Sequence, residues 1–207
     1  MSKWVINPII WEAIVGDLLG DGHITKPSNT NSSRLEFTFS VQNLPYLKYL
    51  KFNIYKDICS SNEPTPYPPK SQGKEITQYW FSTLTSPALG EIYNIWYKDI
   101  EGKSIKVLPE SIESLLTPVG LAHWIQGDGY WSEETVLLCT DNFTEEEVKK
   151  LVFVLDKNFG LKAGLKRRIK GNKEICYRIR FFLSSVNNLR DLVNPYIIPD
   201  MKYKLGL

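Results

Sequence analysis

The sequence contains little of the chemistry on which several classes of protein depend. Among its 207 residues are three cysteines, two histidines and two methionines. Cys59, Cys139 and Cys176 are odd in number and far apart, and no Cys-x-x-Cys pair or nearby histidine accompanies them. This excludes a disulfide framework and a cysteine-bound zinc site. We therefore expect buried or half-buried free thiols.

Two further absences concern membranes and charge. No apolar run approaches the roughly 20 residues that a membrane-spanning helix needs, and residues 1–6 lack the pattern of a signal or transit peptide. We therefore expect no membrane partner. We also expect a protein that either works where it is made or has had a targeting segment removed.

The net charge is only +2, which does not by itself indicate binding to nucleic acid. However, residues 162–180 contain eight basic residues and one acid.

The tripeptide Gly-Asp-Gly occurs twice, as residues 20–22 and 127–129, each time at the end of an apolar helical pattern. A single copy is ordinary, because glycine ends many helices and a neighbouring aspartate is often a turn residue. A carboxylate is nevertheless unfavourable at the carboxyl end of a helix, and here one occurs twice. The repetition predicts a paired acidic site made by Asp21 and Asp128.

The two tripeptides belong to a duplicated frame. Asn7 and Thr117 each predict a helix cap followed by proline in the first turn. In both halves the pattern then predicts helix, hairpin, helix, hairpin and helix. We therefore predict an α+β protein with halves at about residues 1–100 and 118–207, joined by a linker at residues 101–117.

Polar side chains alternate with apolar ones along a predicted strand in each half. In the first half the inward row would be Leu35, Phe37, Phe39 and Val41, and the outward row Arg34, Glu36, Thr38, Ser40 and Gln42. In the second half the outward rows would be Lys166, Arg168 and Lys170, and Cys176, Arg178 and Arg180. A solvated sheet surface is the ordinary interpretation. The alternative is contact with a DNA major groove, where arginine binds guanine and glutamine binds adenine. The residues alone leave both open.

Two neighbouring aspartates can hold a divalent cation. Gly16, Gly20 and Gly127 would let two helices approach closely and bring Asp21 and Asp128 within reach of shared ions. Carboxylate and carbonyl oxygens are the ligands that Mg²⁺ prefers. Such an ion can activate water and stabilise the leaving oxygen in phosphodiester hydrolysis.

These residues carry a resemblance to a known family. Residues 121–129 resemble the LAGLIDADG motif at Leu121, Ala122, Ile125, Asp128 and Gly129. Residues 14–22 resemble it more loosely, at Gly16, Asp21 and Gly22. The chain is similar to the single-chain, two-motif LAGLIDADG homing endonucleases, and most of all to the omega type of the yeast mitochondrial large-rRNA intron. It departs from the motif at Leu19 and Gln126, which replace an acid.

The resemblance implies two pseudo-symmetric αββαββα halves, with saddle-shaped antiparallel sheets across double-stranded DNA and the two motif helices paired between them. It implies an organelle-encoded, mitochondrial monomer that cleaves both strands of a long recognition site and leaves 3′ overhangs. Mg²⁺ would be the cofactor, with Mn²⁺ as a substitute and Ca²⁺ supporting binding without cleavage. By position, the resemblance assigns catalysis to Asp21, Asp128, Lys106 and Lys204, and metal binding to both aspartates with the carbonyls of Gly20 and Gly127. With this resemblance, we predict that the outward rows other than Cys176 contact DNA, namely Arg34, Glu36, Thr38, Ser40, Gln42, Lys166, Arg168, Lys170, Arg178 and Arg180.

Three classes of function stay open. The first is a site-specific DNA endonuclease, and the second is an RNA-binding intron maturase on the same scaffold with weak or no cleavage. The third is a glycosidase-like hydrolase with an acid/base carboxylate pair, which does not account for the basic strand rows. Both aspartates and both lysines favour the nuclease. His23, which follows the first tripeptide, has either a structural role or one in tuning the site.

Overall fold

In the computed structural model, residues 6–27, 30–171 and 173–207 are described. Residues 1–5, on which the expectation of no leader partly rests, lie outside them. Among the described residues, no helix has the length and apolar character needed to cross a membrane.

The described residues of the first half form three α-helices and four strands in the predicted order. They are α1 (Pro8–Leu19), β1 (His23–Thr25), β2 (Arg34–Ser40), α2 (Leu44–Tyr49), β3 (Thr65–Tyr67), β4 (Gln78–Ser82) and α3 (Pro87–Trp96). The second predicted helix of this half is divided, because α2 is followed by a π-helical turn at Leu50–Ile54 and a 3-10 turn at Lys56–Ile58.

The connection between the halves has structure of its own. It contains a hairpin of β5 (Tyr97–Ile100) and β6 (Lys103–Lys106), and then a short helix, α4 (Ile112–Leu115). The proposed boundary at residue 100 therefore falls inside a hairpin. The segment after β6 is fastened to the second half, since the Leu108 amide donates to Glu147 Oε1 over 2.8 Å.

The second half repeats the order of the first. Its elements are α5 (Pro118–Asp128), β7 (Gly129–Ser132), β8 (Thr135–Leu138), α6 (Glu145–Phe159), β9 (Ala163–Ile169), β10 (Ile175–Phe181) and α7 (Val186–Val193). The chain then ends in 3-10 turns, of which the last is Pro199–Leu205. Each half holds a four-stranded antiparallel sheet, and the two strand orders, β1-β2-β4-β3 and β7-β8-β10-β9, are equivalent. The α+β architecture and the duplicated order are confirmed.

Helices α1 and α5 pack against each other at the centre of the molecule. The predicted caps are present, because the side chains of Asn7 and Thr117 accept hydrogen bonds from the first turns of the two helices. A Cβ built on Gly16 would lie 1.9 Å from the carbonyl oxygen of Gly120. Glycine at position 16 is therefore required by the close approach of the helices, and Gly120 is the partner that the sequence pattern did not reveal.

The outward row of the first half is shorter than predicted, and the placement of Gln42 and Val41 on the strand is wrong. β2 ends at Ser40, and residues 41–43 form a 3-10 turn in which the Val41 side chain is exposed. The cause is the end of pairing with β4, after which the Val41 amide bonds to the Thr77 carbonyl. Gln42 therefore does not continue the polar face of β2.

Candidate active site

Asp21 and Asp128 lie side by side where α1 and α5 end. Asp128 is the last residue of α5, and Asp21 follows the Gly20 cap of α1. The two loops are mutually close: a Cβ built on Gly20 would lie 3.6 Å from Asp128 Cβ, and one on Gly127 would lie 3.6 Å from Asp21 Oδ2. The predicted pairing of the two aspartates is therefore present in the structure.

One lysine lies beside each motif end. The Nζ atom of Lys106, at the end of β6, donates to the Leu18 carbonyl over 3.1 Å and to the Gly22 carbonyl over 2.7 Å. The Nζ atom of Lys204 donates to the Gln126 and Gly127 carbonyls, each over 2.6 Å. Each motif end thus has one lysine bonded to its backbone carbonyls, although the two lysines come from different secondary structures and bind different carbonyls of the motif.

The final 3-10 turn holds Lys204 in place. Arg190 donates from Nε and Nη2 to the Leu205 carbonyl over 2.9 and 2.7 Å, and its guanidinium lies over the Trp131 ring. Because the Met201 and Leu205 side chains are also buried, the Lys204 ammonium is directed at the end of α5. Gln126, which replaces a motif acid, fixes the preceding segment through bonds to the Tyr196 carbonyl and the Ile198 amide.

Burial of four charged groups shifts their pKa values. Desolvation raises the pKa of Asp128, and the Asp21 carboxylate raises it further. Desolvation also raises the pKa of Asp21, against the opposing charge of Lys204. Burial lowers the pKa of Lys106 to about 8 and lowers that of Lys204. A carboxylate pair with raised pKa values is the electrostatic environment that a divalent cation stabilises.

The aspartate pair opens into a cavity of about 450 Å³. Its lining includes Asp21, His23, Lys106, Asp128 and the turn after β8 at residues 139–143. His23 lies on β1 rather than in a turn, and Tyr97 OH is 3.2 Å from its Nδ1 atom. Burial and the Lys106 charge lower the pKa of His23. His23 therefore lines the site in its neutral form near pH 7.

A buried polar cluster behind the aspartates was not predicted. Asp17 of α1 and His123 of α5 are both buried, and Asp17 Oδ1 is 3.1 Å from His123 Nδ1 across the helix interface. Tyr55 donates to Asp17 Oδ2, and Tyr46 OH lies 3.5 Å from Oδ1. In an uninterrupted α-helix, residues nine positions apart point in opposite directions. The π-helical turn at Leu50–Ile54, which lies between the two tyrosines, changes this spacing and brings both to Asp17.

The outward face of the second sheet is basic, and its four arginines and lysines are paired with acids. The register places Arg178 opposite Lys166, and Arg168 opposite Cys176. Asp141 Oδ2 accepts from Arg178 Nη2 over 3.0 Å and also from Arg168. Glu133 binds both Lys166 and Arg180. Lys170 lies just beyond β9 and pairs with Glu174.

The outward face of the first sheet is polar and aromatic. Arg34 is bonded to Glu36 over 2.6 Å, and Thr38 lies opposite Trp80 on β4. The Trp80 side chain is 40% exposed and Tyr67 on β3 is 51% exposed, so two large rings extend this face. The alternating pattern of β2 does not predict these two rings on its face, because they belong to β4 and β3, which join the sheet by tertiary pairing.

The sequence profile described as the LAGLIDADG DNA endonuclease family matches residues 11–189. The chain belongs to this family. It is 35% identical over 206 residues to the cytochrome b mRNA maturase bI2 of Saccharomyces cerevisiae, covering 97% of this chain and 48% of the yeast protein. The LAGLIDADG chain thus spans about half the length of that relative. Membership is inconsistent with the glycosidase hypothesis.

Solved structures agree with the fold of this LAGLIDADG protein. The homing endonuclease I-WcaI bound to its DNA recognition sequence has a TM-score of 0.80 and 27% identity, covering 99% of this chain and 88% of I-WcaI. I-DmoI in complex with DNA and Mn has a TM-score of 0.56 and 13% identity, covering 90% of this chain and 96% of I-DmoI. The latter similarity concerns the fold alone.

The donor set of the LAGLIDADG site fits a hard divalent cation. The described residues contain no group of three or more His, Cys, Asp and Glu side chains arranged for a metal. Asp21 and Asp128 instead line the cavity together with Gly20, and Gly127 lies against Asp21. Oxygen ligands of this kind suit Mg²⁺, which keeps several waters, whereas the Gly127 carbonyl also accepts a bond from Lys204.

Proposed function

We propose that this protein is a site-specific endonuclease that hydrolyses both strands of double-stranded DNA at a long recognition site, leaving 3′ overhangs. The observation that carries the proposal is the pairing of Asp21 and Asp128 at the ends of two packed helices, with one lysine beside each. The duplication of the site matches a substrate with two antiparallel strands, because each half would act on one strand.

The chain supplies four groups to the reaction. Asp21 and Asp128, with the carbonyls of Gly20 and Gly127, would hold divalent cations. Lys106 and Lys204 would orient the attacking water and offset the negative charge that develops on the scissile phosphate. Their position within a desolvated site strengthens both effects.

A bound divalent cation would supply a Lewis acid that makes water more acidic and stabilises the leaving oxygen. Mg²⁺ is the proposed cofactor, with Mn²⁺ as a substitute, and Ca²⁺ is expected to support DNA binding without cleavage. The solved relative I-WcaI, which is bound to its DNA recognition sequence, supports DNA as the substrate. The closer similarity to the omega type stays a prediction.

The DNA would lie across the two outward faces. In the first half these are the side chains of Arg34, Glu36, Thr38 and Ser40, and Trp80 and Tyr67 extend the same face. In the second half they are Lys166, Arg168, Arg178 and Arg180, with Lys170 at the edge. Gln42 would contact DNA from the turn after β2. We further propose a monomer encoded and active in a mitochondrion.

The second candidate is an RNA-binding maturase for the host intron, and the yeast maturase at 35% identity favours it. The two functions differ in their need for Asp21 and Asp128. Cleavage requires both carboxylates, whereas RNA binding depends on surface groups. The presence of the complete four-residue site supports the nuclease as the principal function.

Cleavage of the intron-less form of the gene that hosts this reading frame tests the proposal. Purified protein is incubated with that linear duplex in Mg²⁺, in Ca²⁺ and in EDTA, and breaks are mapped on both strands. We expect one pair of offset breaks in Mg²⁺ alone. No break in Mg²⁺ or Mn²⁺, together with stimulated excision of the intron RNA in a splicing assay, would replace the nuclease with the maturase.

A further inference from the structure

The most unusual feature of the second sheet is that its basic side chains already have anionic partners. Two carboxylates, those of Asp141 and Glu133, bind four cations between them: Arg168 and Arg178, and Lys166 and Arg180. A surface intended only to attract phosphates would leave such cations free. The acids therefore need an explanation beyond general electrostatic attraction.

Asp141 holds Arg178 in a defined orientation. Arg178 donates from Nε to Asp141 Oδ1 over 3.2 Å and from Nη2 to Oδ2 over 3.0 Å, which is a bidentate pair. Its Nη1 donates to Tyr130 OH over 3.0 Å, and the guanidinium lies 5.3 Å from the centre of that ring. These bonds engage three of the five N–H groups of the guanidinium, and the other two form no bond within the described part of the chain.

Asp141 is itself fixed where the basic face meets the active site. Its side chain is 22% exposed, and it lines the same cavity as Asp21 and Asp128. Partial burial alone would raise the pKa of Asp141, but hydrogen bonding and the charge of Arg178 hold that pKa below its ordinary value. The carboxylate is therefore ionised at neutral pH.

Glu133 lies in an unusual backbone conformation. It occupies the two-residue turn between β7 and β8, where Glu133 has φ 54° and Glu134 has φ 59°. A turn with two positive φ values favours Asn-Gly, and other residues adopt it only with strain. Such strain is concentrated at functional positions. The turn places the Glu133 carboxylate between Lys166 and Arg180.

From this arrangement we propose that Asp141 and Glu133 are specificity-determining positioning residues, which direct the basic side chains of the second sheet to base edges and away from phosphates. The inference rests on the proposed function. A cation that leaves its carboxylate for a phosphate exchanges one ion pair for another and gains little. An arginine held along one edge can still donate its remaining N–H groups to guanine O6 and N7.

Asp141 and Glu133 also weaken binding to DNA that lacks the recognised bases. Two carboxylates on the DNA-facing surface repel backbone phosphates, so that binding is favourable only where base contacts compensate. Without the acids, the same four cations would bind any duplex. The expected signature of their removal is therefore tighter binding with less discrimination.

The test compares E133Q and D141N with two controls that remove the same charge. E134Q changes the adjacent turn residue, which makes no ion pair within the described part of the chain, and D156N changes an acid paired with Lys162 away from the sheet. Binding in Ca²⁺ is measured on a 30-bp duplex of random sequence over a range of salt concentrations. Base preference is measured by selection from a duplex library, with thermal unfolding as the check of folding.

We expect E133Q and D141N each to bind the random duplex about tenfold more tightly at ~0.15 M salt and to steepen the logarithmic salt slope by about 1 to 2. Base preference should flatten in the half-site bound by the second sheet and persist in the other. The controls should match the wild type.

If the wild type binds DNA, and both variants have the same affinity and base preference as the wild type, the inference is overturned and the proposed function is left intact. Weaker binding by the variants would overturn it as well, since it would assign the acids direct contacts with DNA. If D141N does not fold, E133Q on the exposed turn decides alone. Absence of binding by the wild type to any duplex would reject the proposed function and the inference together.

Discussion

The two halves are alike where they meet and different where they would meet DNA. Asp21 and Asp128 lie side by side, and each motif end has a lysine bonded to its backbone carbonyls. The sheets behind them share a strand order, yet one carries a cluster of paired cations and the other an exposed Trp80. Under the proposed function, cleavage of two equivalent strands requires similar catalytic groups in both halves. Recognition of a different base sequence by each sheet requires different side chains on the two outward faces.

The largest expected effect lies at the symmetric part of the molecule. D21N and D128N should each reduce double-strand cleavage by about a thousandfold, because each removes a charged cation ligand from the site. DNA affinity in Ca²⁺ should change little, since neither side chain would contact bases. Single-turnover cleavage and equilibrium binding measure the two quantities. If either variant cleaves DNA at the wild-type rate, that aspartate is not a catalytic residue and the two halves are not equivalent in catalysis.

The lysines should show the next largest effect. K106A and K204A should each slow cleavage by about a hundredfold and weaken binding by less than about threefold, because charge stabilisation in the transition state affects rate more than affinity. K103A, at the other end of the exposed strand β6, is the matched control. Equal losses of rate and affinity would make the two lysines phosphate-binding residues.

A smaller effect should distinguish the two sheets. The double variant R178Q/R180Q should bind its target about tenfold more weakly and lower the salt slope by about 1, because Asp141 and Glu133 each lose one neutralising cation and repel the DNA phosphates. The double variant T38A/S40A should leave the salt slope unchanged and alter base preference in its own half-site. Titration of binding against salt tests both. Identical salt slopes for both doubles would contradict the electrostatic difference between the sheets.

The smallest effect concerns the interface between the halves. Y55F should lower the free energy of unfolding by about 1 to 2 kcal/mol, because the buried Asp17 carboxylate loses one hydrogen-bond donor. Y49F, on the half-buried Tyr49, is the control and should change it little. Urea unfolding should show one transition, since α1 and α5 belong to one continuous core. Two separate transitions would show that the halves unfold independently.

Local features were well predicted from the sequence. The caps at Asn7 and Thr117, the repeated order of elements and the ends of the motif helices all depend on residues close together in the chain. Helix caps and alternation act over a few residues, and tertiary packing had only to be compatible with them. The error at Gln42 arose at a boundary, because the alternation of polar and apolar residues continues two residues beyond the pairing that ends β2 at Ser40.

The sequence by itself therefore determined the architecture, the two aspartates and the rows of polar side chains. Only the tertiary structure decided that His123 meets Asp17, that Lys106 and Lys204 converge on the aspartates, and that Asp141 binds the arginines. These contacts join residues separated by 27 to 106 positions. No local periodicity encodes such distances, because they depend on how helices and strands pack once they have formed.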